Sequence, residues 1–159
     1  MLTIRLATEQ DRESILEISR DVGVFTPEEV AVVDELLDIY LHEHDNQEYI
    51  FIVASDESGC ILGYDCYGPT AMTDSTYDMY WLAVSKASQG RGVGKALMEH
   101  VERTLRAQGA RLIVLETSGT PEYEPTRRFH EHCGYTGRLA VPDFYRQGDD
   151  LIVYSKPLR

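Results

Sequence analysis

The sequence has no hydrophobic run long enough to cross a membrane. Its longest uninterrupted apolar stretches are about five residues, such as 50–54, whereas a membrane-spanning helix needs about 20. The amino terminus also has no apolar segment of the kind found in secretory signals, because it turns acidic within the first dozen residues. We therefore expect a protein of the cytoplasm with no membrane partner.

Cysteine is scarce, and no metal-binding pattern is visible. Three cysteines without a C-x-x-C pair cannot all form disulfides, so free thiols in a reducing compartment are expected. They are Cys60, Cys66 and Cys133. Two H-x-H pairs occur, at residues 42–44 and 130–132, but side chains two positions apart on a helix point to different sides. No metal is expected.

Basic side chains are almost absent from the first half of the chain. Residues 1–84 hold 18 acidic and 3 basic side chains, and the 159-residue chain has a net charge of −12. Such a chain repels nucleic acid, which is therefore not expected as a partner. Segment 85–111 is the exception, with 6 basic and 2 acidic side chains around a glycine-rich stretch. This local charge directs attention to anion binding there.

The residues that are present predict a single α/β domain over positions 1–159, because composition is ordinary and no linker or repeat is visible. Strands are predicted at 2–6, 48–55, 60–67, 77–84, 112–115 and 151–155, with one more between 135 and 145. Helices are predicted at 8–20, 27–42, 93–107 and 126–133. This order favours one sheet with helices on its faces.

A glycine-rich turn lies between a predicted strand and a predicted helix, in the sequence LAVSKASQGRGVGKAL of residues 82–97. Its glycines allow close approach of a ligand to the backbone, and the first amides of a helix attract anions. A Walker A loop is excluded, because Gln89 stands at its first glycine and Ala96 at its magnesium-binding hydroxyl. A dinucleotide fingerprint is excluded by its spacing and late position. Two interpretations of this turn stay open: a phosphate site of another kind, and the start of a helix that binds no ligand.

Three segments follow one another along the chain: YWLAV at residues 80–84, QGRGVG at 89–94 and RFHEHCGY at 128–135. Together they resemble the GNAT family of N-acetyltransferases. Residues 89–94 match Q/R-x-x-G-x-G/A, the acyl-CoA pyrophosphate loop of that family. Residues 80–84 are similar to its fourth strand, and residues 128–135 are similar to its L-Y-E-K-x-G-F segment. With the order of elements, the resemblance covers essentially the whole chain.

The resemblance implies a mixed, mostly antiparallel sheet that splays between its fourth and fifth strands, flanked by about four helices. It implies acetyl-CoA as the acetyl donor. The pantetheine arm would pair with the backbone of Leu82, Ala83 and Val84. The pyrophosphate would bind the loop residues Gln89, Gly90, Arg91, Gly92, Val93, Gly94 and Lys95.

The implied reaction is direct transfer of an acetyl group to a primary amine, whose ammonium form has a pKa near ~10.4 and must lose a proton. Asp78 is the candidate general base, because some relatives carry a catalytic glutamate at this distance from the end of the fourth strand. Alternation would place Asp78, Tyr80 and Leu82 on one strand face. A carboxylate that merely attracts the ammonium group is the alternative.

The general acid has three candidates. His130 stands where family members often have tyrosine, and a histidine can donate a proton at neutral pH. Tyr123 and Tyr145 could supply a phenol instead. A role for His130 in packing or at the surface is the alternative.

The expected acceptor is a small, cationic primary amine, because the acidic first half forms part of the acceptor side in this family. Residues 143–154 faintly resemble the tail of protein N-terminal acetyltransferases, so a protein amine, at a chain terminus or on lysine, is the alternative. An acyl-CoA-binding module without catalysis is a third interpretation, based on His130. The oligomeric state stays open between a monomer and a homodimer.

Overall fold

The computed structural model describes residues 1–158 and arranges them as a mixed sheet with helices on both faces. The strands are β1 (Thr3–Leu6), β2 (Ile50–Ser55), β3 (Ile61–Pro69), β4 (Thr76–Val84), β5 (Leu112–Ser118), β6 (Thr136–Arg146) and β7 (Asp149–Pro157). The helices are α1 (Arg12–Asp21), α2 (Pro27–His42), α3 (Val93–Ala107) and α4 (Glu124–His132). The predicted α/β class and element order are confirmed.

The sheet has the strand order β1-β2-β3-β4-β5-β7-β6. Within residues 1–158, every pair of neighbouring strands is antiparallel except β4 and β5, which run parallel. Their pairing extends only from Thr76 opposite Leu112 to Met79 opposite Leu115. Beyond that point the two strands separate, which confirms the predicted splay and opens the sheet.

A β-bulge in β4 lies at the start of this opening. Cys66 of β3 pairs with Trp81, whereas the next residue, Tyr67, pairs with Met79, so Tyr80 is the extra residue. The bulge reverses the alternation of faces along β4. The expectation that Leu82 shares a face with Asp78 and Tyr80 is therefore wrong.

Two apolar cores, one on each face of the sheet, hold this arrangement. The core beneath α3 contains Met79 and Leu82 of β4, whereas the core beneath α1 and α2 contains Trp81 and Ala83. Because of the bulge, Met79 shares a core with Leu82, whereas strict alternation would place it with Trp81 and Ala83. Residues on both sides of β4 are therefore fixed by burial, which stabilises the strand at the edge of the opening.

The predicted start of α2 is confirmed in atomic detail. The Thr26 hydroxyl accepts a 3.2 Å hydrogen bond from the amide of Glu29, and the Glu29 carboxylate accepts one of 2.6 Å from the amide of Thr26. Pro27 occupies the first helical position, where its missing N–H is not needed. The capping box thus orients the short α1–α2 connection, residues 22–26.

Several predicted boundaries shift because tertiary pairing extends the strands. β5 continues three residues past its predicted end at Leu115, because residues 116–118 pair with β7. β7 gains residues at its carboxyl end from the same pairing, and at its amino end it begins at Asp149, which pairs with Arg146 of β6. The region predicted to hold one further strand contains the long edge strand β6, interrupted near Pro142. No helix within residues 1–158 is long and apolar enough to span a membrane.

Candidate active site

A cleft of about 1360 Å³ passes through the sheet where β4 and β5 separate. One half lies between the start of α3 and α4. The other half, here called the acceptor half, lies between the α1–α2 connection, α2 and the tip of the β6–β7 hairpin. The predicted site residues that line it are Asp78, Leu82, Ala83, Val84, Gln89, Gly90, Gly92, Val93, Gly94, Lys95, Tyr123, His130 and Tyr145. Arg91 is exposed in the same loop but does not line the cleft.

The glycine-rich loop presents a row of free backbone amides. Gly90 and Gly92 have φ values of 73° and 80°, which side-chain-bearing residues rarely adopt, and Gly92 precedes the first turn of α3. Within residues 1–158, none of the N–H groups of residues 90–95 has a hydrogen-bond acceptor. The Gln89 side chain fastens the loop to the end of β4 by a 3.1 Å bond to the carbonyl oxygen of Val84. Free amides at a helix N-terminus suit a phosphate.

The separated part of β4 can accept an extended ligand. Leu82, Ala83 and Val84 pair with β3 on one side, while β5 no longer pairs on the other. A side-chain carbon on Gly94 would lie 3.2 Å from Cζ of Phe129, so the loop packs closely against α4. An open strand edge that leads to free amides fits a pantetheine arm followed by phosphates. These residues therefore fit acetyl-CoA.

Asp78 lies at the opening of the sheet, in the half of the cleft next to α2. Its carboxylate accepts a 2.7 Å hydrogen bond from the hydroxyl of Thr70, and the side chain is partly buried. Burial, followed by the charge of Asp78, raises the pKa of the Tyr80 phenol to about 12. Asp78 and Tyr80 are therefore near neighbours, with the tyrosine protonated at neutral pH.

His130 is buried in α4, with 6% of its surface exposed. Its Nδ1 atom has no hydrogen-bond partner among the described residues, and its ring lies between Tyr135 and Tyr154, each with its centroid 6.2 Å away. Burial lowers the pKa of His130 to about 4, so the imidazole is neutral at pH 7. A neutral ring can donate through one N–H group but carries no additional proton.

The two candidate phenols differ in their partners. The Tyr123 hydroxyl donates a 3.2 Å hydrogen bond to the carbonyl oxygen of Val24, and burial raises the pKa of this phenol to about 12. The Tyr145 hydroxyl makes no hydrogen bond with any residue from 1 to 158, and 45% of this residue is exposed. Tyr145 is therefore the phenol whose proton is not already engaged.

Sequence reasoning missed several side chains in the acceptor half of the cleft. The missed carboxylates are Glu29, Glu116, Glu122 and Asp149, and the missed aromatic residues are Phe25, Tyr49 and Trp81. Glu116 could have been found, because it follows the predicted strand 112–115 directly. The others lie far apart in the sequence, and no local pattern connects them. Within the described chain, no cluster of three or more His, Cys, Asp or Glu side chains is placed to hold a metal ion.

Comparisons with known proteins agree with this geometry. Residues 13–135 match the family model described as the acetyltransferase (GNAT) family. The chain belongs to this family and is therefore an acyltransferase, as the sequence predicted. Solved structures of similar acetyltransferases contain acetyl-CoA or coenzyme A, which confirms the predicted donor.

Similar proteins cover the full length of the chain. An uncharacterized N-acetyltransferase of Methanocaldococcus jannaschii is 27% identical over 98% of this chain and 91% of its own. The crystal structure of a GNAT-family acetyltransferase from Desulfovibrio desulfuricans is 39% identical, with a TM-score of 0.95 and complete coverage of both chains. An aminoglycoside 6′-N-acetyltransferase complexed with coenzyme A has a TM-score of 0.77 at 17% identity, covering 99% and 97% of the chains, which shows the shared fold.

Proposed function

We propose that the protein transfers the acetyl group of acetyl-CoA to the primary amine of a small, cationic molecule. The observation that carries this proposal is the hydrogen bond between Tyr123 and Val24. It joins the segment between β5 and α4 to the α1–α2 connection across the acceptor half of the cleft. With these two segments joined, the acceptor half suits a compact acceptor. An extended protein segment would need a groove that is open at both ends.

The charges of the acceptor half support a cation. Carboxylates of Asp78, Glu29, Glu116, Glu122 and Asp149 line it, and Arg146 is the basic side chain at its rim. Three of these acids are engaged: Asp78 with Thr70, Glu29 with the Thr26 amide, and Asp149 with the Ser118 hydroxyl. These donors are neutral and leave the carboxylate charges in place, whereas Arg146 lies 3.5 Å from Asp149 and offsets that one charge. The net negative charge that remains favours an ammonium group by attraction.

Two carboxylates are candidates for taking a proton from the amine. Asp78 and Glu116 lie on β4 and β5 at the point where the strands part, and both line the cleft. By the register of the two strands, Asp78 stands opposite Val114, two residues before Glu116, so both acids face the same side of the sheet. We assign Asp78 as the base and Glu116 as a group that attracts the ammonium.

Acetyl-CoA supplies an activated thioester, and the protein has to orient it and stabilise developing negative charge. The amides of residues 90–95 would hold the phosphates, and the open edge of β4 would hold the extended arm. His130 is neutral, so it would act as a hydrogen-bond donor at the cleft rather than as an imidazolium acid. Tyr145, with its free hydroxyl, is the proposed proton donor.

A panel assay tests the proposal. The purified protein is incubated with acetyl-CoA and with single amines or peptides, and the release of free CoA thiol is followed together with the mass of the product. We expect a mass increase of one acetyl group on small primary amines and a much lower kcat/KM for peptides with a free α-amine. Faster acetylation of peptides than of every small amine would favour the protein-acceptor alternative.

A further inference from the structure

Two aromatic pairs line the acceptor half of the cleft. Phe25 of the α1–α2 connection meets Trp81 of β4 edge to face, with ring centroids 5.2 Å apart and planes at 74°. Tyr49, just before β2, meets Tyr80 at the β4 bulge with centroids 5.4 Å apart. Aromatic pairs at these distances are favourable, and Tyr80 and Trp81 are consecutive residues of β4, so the four rings together form a surface, here called the aromatic wall.

The aromatic wall is incompletely covered by the protein. Tyr80 is 36% exposed, and Val32 of α2, which lines the same half of the cleft, is 41% exposed. Phe25, Tyr49 and Trp81 are half-buried. Concave apolar surface that stays open to water is typical of ligand sites, because the gain from burying it is realised only when a ligand binds.

A carboxylate adjoins the wall. Asp78 lies two residues before Tyr80 on β4 and lines the same cleft, so the acid lies near this ring, and the faces of aromatic rings attract cations. An apolar surface with a negative charge at its edge is complementary to a molecule with one broad apolar part and one ammonium group. A polyhydroxylated amine would instead place hydroxyl groups against the faces of Phe25 and Trp81, which offer them no hydrogen-bond acceptor.

We infer that the acceptor is an amine that carries an aromatic or similarly broad apolar group, which binds the aromatic wall while the amine faces Asp78. This inference rests on the proposed function, because it concerns the acceptor of the same reaction. It specifies the chemical character of the part of the acceptor that does not react.

Trp81 allows a test that does not depend on catalysis. It is the single tryptophan of the chain and belongs to the wall, so its fluorescence reports on ligands bound there. The protein with bound CoA is titrated with 2-phenylethylamine, butylamine, spermidine and glucosamine. We expect a saturable fluorescence change at concentrations about tenfold lower for 2-phenylethylamine than for butylamine, and weaker effects from the other two. Equal responses to all four amines, or no response to any, would overturn the inference.

Two variants locate the effect. Phe25→Ala should raise KM for 2-phenylethylamine about tenfold and leave KM for butylamine within about twofold, because only the larger acceptor reaches the wall. Leu139→Ala is the matched control, since Leu139 is 56% exposed on β6 and does not line the cleft. It should leave both values unchanged. The same loss for both amines in Phe25→Ala would show a general defect and overturn the inference.

The two proposals fail in different ways. Selective binding of 2-phenylethylamine without acetylation would contradict the proposed function and leave the binding surface in place. Acetylation of small amines without any preference for apolar ones would contradict the inference alone.

A series of acyl-CoA donors completes the test. If Phe25→Ala changes the preference for acyl length and not for the amine, the aromatic wall binds the acyl group and the inference is wrong.

Discussion

Tyr123 and Val24, 99 positions apart in the sequence, are joined by a 3.2 Å hydrogen bond from the phenol to the backbone carbonyl. The bond links the segment between β5 and α4 to the connection between α1 and α2, across the acceptor half of the cleft. Because its hydroxyl proton is used in this hydrogen bond, we expect Tyr123 to hold the α1–α2 connection in place beside the acceptor.

Tyr123→Phe should therefore act on the binding of the amine. We expect KM for the amine to rise several-fold while kcat stays within about threefold, because the lost bond holds a loop and moves no proton. Tyr145→Phe is the matched change at a free phenol, and it should lower kcat by about 100-fold if Tyr145 is the proton donor. A large kcat loss in Tyr123→Phe with normal KM would show that the roles are reversed.

Asp78→Asn tests the base. The change keeps the shape and the hydrogen bond from Thr70 but removes the charge, so kcat should fall by about 100-fold with KM little changed. Glu116→Gln should mainly raise KM, because attraction of the ammonium acts on binding. Steady-state kinetics with one small amine measure both, and wild-type kcat in Asp78→Asn would remove it as the base.

The phosphate loop can be tested with two glycines that share the same backbone strain. Gly92 and Gly109 have φ values of 80° and 84°, and an added Cβ atom meets nothing within 4 Å at either position. Alanine at either should lower stability by about 1–2 kcal/mol. Gly92→Ala should also weaken CoA binding, about tenfold or more, because Gly92 lies in the loop assigned to the phosphates. Gly109→Ala should leave CoA binding unchanged, because Gly109 lies beyond the other end of α3. Titration calorimetry with CoA distinguishes them, and equal affinities would contradict the loop assignment.

His130 makes stability depend on pH in the acid range. Its pKa is about 4 in the folded protein and near ~6.5 when unfolded, so the unfolded chain binds the extra proton first as pH falls. Stability should therefore decrease between pH 7 and pH 5, by about 1–2 kcal/mol from this group. His130→Phe should remove that part of the decrease in urea-unfolding measurements. An unchanged pH profile in the variant would show that His130 titrates normally.

Asp65 has the opposite effect. Its carboxyl oxygens are fully buried without partners in the part of the chain described, and burial raises the pKa of Asp65 well above its usual range. Stability from this group is complete below pH ~3.8 and is lost as pH rises, by up to about 1.4 kcal/mol per pH unit. Asp65→Asn should thus stabilise the protein more at pH 8 than at pH 5. Asp74→Asn, at an 85% exposed side chain, is the control.

Local patterns were sufficient for the order of the elements and for the position of the glycine-rich turn before α3. The capping box at Thr26 and Glu29 and the glycines at 90 and 92 act through neighbours within a few residues, so their geometry is written in short segments. The carboxyl-terminal boundaries of β5 and β7 were missed because each strand is extended there by pairing with the other. That pairing joins residues about 40 positions apart, which short-range periodicity does not record.

The face of Leu82 and the partners of Tyr123 depended on the tertiary structure. Strict alternation predicts a face only while a strand stays regular, and the bulge at Tyr80 arises from pairing with β3. The lowered pKa of His130 likewise follows from burial, to which Tyr154 of β7 contributes a ring 6.2 Å away. The sequence by itself determined the family, the order of elements and the loop that suits phosphates, because these rest on local motifs. The tertiary structure alone decided which acids, phenols and aromatic rings meet in the cleft, because long-range packing brings them together.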